Sequence, residues 1–307
     1  MRFARFAASV GSIMLELRGT YTALATPFSK DAGAPIDWKA FDTLLDDQVA
    51  GGITGVVPCG TTGESPALSE AEMMELFSRT VARVRGKAQV IAGTGSNATA
   101  HAVHLSASAE KLGVDAVMVV VPYYNKPTQD GLFGHFVAVA KAVRCPVIVY
   151  NIPGRTGIDL LSDTLLRIQK ECPNVIATKE ATGNVLRAQE IVARSNGKMT
   201  VLSGDDALTL PMIAVGARGV ISVTSNVLPK EVTETTRAAL EGRFADALAR
   251  HQKLLPVHEA MFVEANPSPL KAALSQRGKM TDVVRGPLSA PTAATHAHVA
   301  KALEAFS

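Results

Sequence analysis

The sequence predicts an α/β fold, a (β/α)8 TIM barrel with a C-terminal helical appendage, on three observations. Short β-rich runs alternate with amphipathic helical stretches from about Thr20 onward, the pattern of a parallel sheet with crossover helices. About eight such units fit into about 210 residues, the repeat expected of a closed barrel. The strand runs are continuous in Val and Ile, as in strands covered on both faces.

Taken in order, the strand candidates are Thr22 to Thr26, Gly55 to Pro58, Gln89 to Ala92, Ala116 to Val121, Val147 to Tyr150, Val175 to Thr178, Thr200 to Leu202 and Gly219 to Val223. Helical patterns lie between them, among them Asp37 to Val49, Ser69 to Val84, Ala98 to Leu112, Gln129 to Val143 and Asn184 to Ser195. Ser69 followed three residues later by Glu72 reads as a capping box opening its helix. After the eighth strand only helical segments follow, around Glu231 to Leu240, Arg243 to Leu254, Pro269 to Ser275 and Thr292 to Phe306. The expected division is 1–16 as an N-terminal extension, 17–228 as the barrel with the active site, and 229–307 as the helical region. The first residues imitate a signal peptide loosely, but Ser9, Gly11 and Ser12 interrupt the apolar run, and Met14 is the expected start.

Composition narrows the function. The 307 residues are 47% hydrophobic and 19% charged, enough to bury a large core. The net charge of +3 is spread without a basic run, which excludes nucleic acid and membrane surfaces as expected partners and leaves small molecules. Cys59, Cys145 and Cys172 form no framework and no C-x-x-C pair, as suits a cytoplasmic protein. The longest clean apolar stretch, Ala116 to Val121, is too short to span a bilayer.

Chemistry in this fold sits in the loops after the strands. There the sequence places Gly60-Thr61-Thr62-Gly63-Glu64, Pro122-Tyr123-Tyr124-Asn125, Tyr150-Asn151-Ile152-Pro153-Gly154-Arg155, Lys179-Glu180, Ser203-Gly204-Asp205-Asp206 and Thr224-Ser225-Asn226. Three of the four tyrosines, Tyr123, Tyr124 and Tyr150, stand at this rim, as proton donors and acceptors or as half-buried packing. Lys179 closes an apolar run that should aim it into the mouth, where desolvation would favour the neutral, nucleophilic amine; the alternative is an ion pair with Glu180 or Asp205. Arg155 offers a planar fork to a carboxylate, or is a surface arginine. Thr61 and Thr62 offer hydroxyls and amides to an anion, or form an ordinary turn.

Competing motifs are weaker. Gly93-Thr94-Gly95-Ser96-Asn97-Ala98 matches a dinucleotide pattern, but the acid about 20 residues on, Asp115, precedes its strand and would miss a ribose. His101, His104, His296 and His298 lack a completing carboxylate motif, so no metal is expected. Cys59 has no histidine placed to activate it and reads as packing.

Five ordered motifs then carry a resemblance: Gly60 to Ser65, Pro122 to Pro127, Tyr150 to Gly157, Lys179 to Asn184 and Ser203 to Asp206. From about Leu17 to its end the chain resembles the dihydrodipicolinate synthase family of pyruvate-dependent class I aldolases. The resemblance implies an imine between Lys179 and pyruvate, with no other cofactor, and attack of the derived enamine on aspartate 4-semialdehyde. It implies Tyr150 as general acid and base, with Thr62 and Tyr124 completing a proton relay. Arg155 would hold the semialdehyde carboxylate, the Thr61 and Thr62 amides the pyruvate carboxylate, and the Gly204 and Ile221 backbone would lie against the intermediate. Tyr124 would reach a neighbouring subunit's site, making a homo-oligomer, commonly a tetramer of two dimers. A lysine effector site would use Ser65, Asn97 and Tyr123, but Glu70, Met73 and His101 stand where relatives carry histidines and a glutamate, so weak or absent lysine inhibition is expected. The sister aldolases, N-acetylneuraminate lyase and 2-keto-3-deoxysugar-acid aldolases, share the lysine and the strand-five tyrosine; the threonine pair, the tyrosine pair and Arg155 favour the synthase. A sensor without turnover would need no proton relay.

Overall fold

Strands with two apolar faces must bury both, and this chain does so by closing a ring. The computed structural model describes residues 15–306. Its eight parallel strands pair in sequential order: β1 (Gly19–Ala23), β2 (Gly55–Val57), β3 (Gln89–Gly93), β4 (Ala116–Val120), β5 (Val147–Asn151), β6 (Val175–Glu180), β7 (Thr200–Ser203) and β8 (Gly219–Ser222). The helices are α1 (Trp38–Ala50), α2 (Glu70–Val84), α3 (Thr99–Lys111), α4 (Gln129–Ala142), the short α5 (Pro153–Thr156), α6 (Ser162–Glu171), α7 (Val185–Arg194), α8 (Thr209–Ala214), α9 (Pro229–Leu240), α10 (Phe244–Ala260), α11 (Ser268–Gln276) and α12 (Ala293–Leu303). Alternating side chains divide the core in two. Tyr21, Val57, Ile91, Met118, Ile148, Leu202 and Ile221 pack inside the ring. Val56, Val90, Val117, Val149 and Val201 face outward onto Phe41, Phe77 and Phe136 of the helices.

The first strand begins at Gly19, three residues before the expected Thr22, and ends at Ala23. The cause is the seam. Gly19 of β1 pairs with Gly219 of β8, and a Cβ on Gly219 would sit 1.9 Å from the Gly19 carbonyl oxygen, so only glycine lets these strands meet. After a last bond from Leu24 N–H to Val57 O at 3.1 Å, Ala25 and Thr26 leave the ladder, with Ala25 N–H donating to Asn226 Oδ1 at 3.1 Å and the Thr26 hydroxyl to Gly63 O at 2.7 Å.

The capping box at Ser69 and Glu72 forms with both of its bonds. Three helices, the short α5, α6 and α8, were not among the sequence patterns, and α10 runs six residues past Leu254, through Pro256. The helix after β8, α9, packs on β1 and β8. The α10–α12 helices form the appendage, α11 and α12 packing together and α10 on α12. The expected start at Met14 lies outside the described residues.

Candidate active site

Strand β6 reads Val175-Ile176-Ala177-Thr178-Lys179-Glu180, two residues longer than expected, which puts Lys179 within the ladder. Its register neighbours are Tyr150 of β5 and Leu202 of β7. At the top of an apolar barrel the amine is 5% exposed and its Nζ lies 4.2 Å from the centre of the Tyr150 ring. Burial lowers the lysine pKa to about 8, helped by the charge of Arg155 and opposed by Asp206. Among the described residues Lys179 forms no ion pair: Glu180 accepts the Thr182 N–H at 2.8 Å and Asp205 the Ala207 N–H at 2.9 Å. The carboxylate acting on the amine is Asp206, whose Oδ2 also accepts the amides of Val223 and Thr224. Gly204 leaves room for the lysine stem, since a Cβ there would lie 2.6 Å from Ala181 Cβ and 3.2 Å from Lys179 Cε. Ile221 is buried inside the ring in the cluster that includes Tyr150.

Tyr150 is 4% exposed, and burial pushes its phenol up to about 12, against the Arg155 charge and a hydrogen bond with the Thr61 side chain. The two threonines have different neighbours. The hydroxyl on Tyr150 is that of Thr61, whereas Thr62 is buried and its Oγ1 accepts from Asn266 Nδ2 at 3.0 Å. The reason is the tight loop after β2, with Cys59 and Glu64 both at positive φ, which turns successive threonines to different neighbours. Among the described residues, neither the Thr61 nor the Thr62 N–H has a protein acceptor, which leaves two adjacent donors for an anion.

Arg155 lies in α5 and is exposed, its Nη2 donating to Asn266 O at 3.4 Å. It lines a cavity of about 440 Å³ together with Thr61 and Ile152. All six candidate effector residues, Ser65, Glu70, Met73, Asn97, His101 and Tyr123, line the same cavity. Glu70 is taken up by His104, Oε1 to Nε2 at 2.6 Å, and His101 Nδ1 lies 3.3 Å from Ser96 Oγ. Tyr124 stands apart: it is 87% exposed with φ of 74°, a conformation a bulky residue adopts only where its surroundings enforce it.

The dinucleotide-like glycines serve packing. A Cβ on Gly93 would lie 2.3 Å from Cys59 O, and one on Gly95 would lie 2.4 Å from Val120 N. The Cys59 thiol is buried and pushed up by burial, so it is unreactive. Among the described residues no group of three His, Cys, Asp or Glu side chains is placed to hold a metal ion, and no helix is long and apolar enough to cross a membrane. A buried, partly neutral amine beside a phenol, two free amides and a guanidinium can capture a keto acid as an imine and move protons at it.

A family model described as the dihydrodipicolinate synthetase family matches residues 16–306. The chain belongs to this family. A 4-hydroxy-tetrahydrodipicolinate synthase of Sorangium cellulosum is 53% identical over 289 residues, 94% of this chain and 96% of the relative. The crystal structure of dihydrodipicolinate synthase from Aquifex aeolicus superposes with a TM-score of 0.92 at 44% identity, covering 94% of this chain and 98% of that one. A chloride-inhibited dihydrodipicolinate synthase from Acinetobacter baumannii, complexed with pyruvate, gives a TM-score of 0.92 at 38% identity, covering 94% and 99%.

Sequence reasoning missed three participants. Asp206 lay in a quoted motif but carried no assigned role. Asn266 and Lys271 come from the appendage: Lys271 is fully buried and pairs with Glu64, Nζ to Oε1 at 2.5 Å, directly behind the threonine loop. A lysine in an otherwise apolar helix, Pro269-Leu270-Lys271-Ala272-Ala273-Leu274, was the one available signal.

Proposed function

We propose that this chain condenses pyruvate with L-aspartate 4-semialdehyde to 4-hydroxy-tetrahydrodipicolinate, the committed step toward diaminopimelate and lysine. The observation that carries the reading is the buried Lys179 amine, held near a pKa of about 8 and paired across the ladder with Tyr150. Its neutral form adds to the pyruvate ketone, and loss of water gives the imine. A methyl proton leaves, and the enamine carbon attacks the semialdehyde aldehyde. The amino group of that second substrate then displaces Lys179 and closes the ring, one water being released overall.

Tyr150 donates and accepts protons at the imine, through Thr61 and, from a neighbouring subunit, Tyr124. The free amides and hydroxyl of the threonine loop hold the pyruvate carboxylate, Arg155 the semialdehyde carboxylate, and the Gly204 and Ile221 backbone flanks the intermediate. No cofactor beyond the covalent pyruvate is required. The exposed, strained Tyr124 supports a homo-oligomer in which a second copy covers it; the family resemblance extends this to a tetramer built from two dimers, working in the cytoplasm. A coupled assay offering pyruvate with aspartate semialdehyde against pyruvate with sugar aldehydes tests the reading. Turnover is expected with the semialdehyde, and preference for sugar aldehydes would assign the chain to the sister lyases.

A further inference from the structure

Asn266 sits in the loop between α10 and α11, far in sequence from the barrel mouth, yet it touches both anion-binding groups of the site. Its Nδ2 donates to Thr62 Oγ1 at 3.0 Å, and its main-chain carbonyl accepts Arg155 Nη2 at 3.4 Å. The residue is 4% exposed, and its Oδ1 is buried without a hydrogen-bond partner among the described residues. A buried amide oxygen without a partner is uncommon and calls for an explanation.

The chemistry of a hydroxyl gives the role. Thr62 has one proton to donate and two lone pairs to accept with. An N–H placed on a lone pair leaves the Thr62 proton free to point at an anion and fixes the rotor that aims it. A carboxylate in the same place would consume that proton, and an apolar group would let it turn.

We infer that Asn266 is a positioning residue for the keto acid, orienting the Thr62 hydroxyl toward the pyruvate carboxylate, while its backbone alone steadies Arg155. This rests on the proposed function and adds to it a specificity element supplied by the appendage. The side chain therefore governs pyruvate affinity, and the semialdehyde site, served by the carbonyl, is insensitive to substitution.

The test is cyanoborohydride trapping of pyruvate on Lys179 across a pyruvate titration, alongside steady-state kinetics and thermal unfolding of the full chain. Asn266→Ala is expected to need about tenfold more pyruvate for half-maximal trapping, the loss of one oriented bond to a charged group. Asn266→Asp, nearly isosteric, is expected to need more still. KM for the semialdehyde and kcat at saturating pyruvate are expected to stay within about threefold. In a Thr62→Val background Asn266→Ala is expected to add nothing, because the hydroxyl it orients is gone.

Unchanged half-saturation in both variants overturns the inference, as does a parallel rise in both KM values with a lowered unfolding temperature. Additive effects with Thr62→Val overturn it too. No adduct in the unsubstituted protein overturns the proposed function, and this inference with it; an adduct with unshifted variants overturns this inference alone.

Discussion

Lys179 gives the sharpest quantitative expectation. An amine with a pKa of about 8 is neutral in about one molecule in ten at pH 7, against about one in three thousand at the ordinary 10.5. The gain in nucleophile is about 300-fold, worth about 3 kcal/mol. The lowered pKa means that the reactive form accumulates as pH rises toward 8, and that it is lost tenfold per unit below about pH 7. The perturbation is pH, and the assay is the rate of cyanoborohydride reduction of the pyruvate imine well below saturation. The rate should climb through the acid range, bend near pH 8 and level above it. Tyr150, at about 12, stays protonated throughout, so the limb belongs to the lysine. Asp206→Asn removes the charge that favours the ammonium form and should move the limb to lower pH. A midpoint at pH 10 or above would refute the desolvation argument.

Three further outcomes follow from the same geometry. Tyr124→Phe should lower turnover by about 100-fold or more, the usual scale for a lost proton-transfer group, while trapping of pyruvate on Lys179 stays intact; loss of trapping would contradict that separation. Lys271→Met leaves Glu64 buried and unpaired and should cost about 3–5 kcal/mol in urea unfolding, whereas Lys271→Met with Glu64→Gln should recover most of it. L-lysine should inhibit weakly or not at all, since His101 stands where a carboxylate is needed and Glu70 is held by His104; half-maximal inhibition at submillimolar lysine would overturn this.

The barrel was legible because its strands announce themselves. Val175 to Ala177 is an unbroken apolar run, and the polar residues that follow such runs arrive at one rim. The placement of Lys179, Tyr150 and Arg155 at the barrel mouth was readable for that reason, each standing at the end of a recognisable unit. The division of labour between Thr61 and Thr62 was not, because it turns on the torsions of a loop holding Cys59 and Glu64 at positive φ, and both threonines fit the same pattern. The strand limits slipped where pairing decides: Gly19 joins β1 through its partner Gly219, a fact of the closed ring that no local window contains. Asn266 and Lys271 were hidden for a related reason. They meet Thr62 and Glu64 at sequence separations of 204 and 207, and nothing near them in sequence marks the destination.

The appendage is thereby more than an addition to a finished barrel. Residues 266, 271 and 285 brace the threonine loop, with Arg285 N–H donating to Glu64 Oε2 at 2.8 Å. During synthesis the ribosome releases every strand and the reactive amine long before these braces emerge. The bracing of the threonine loop therefore arrives last, and a chain cut short near its end would carry Lys179 beside a loop without its holdfast.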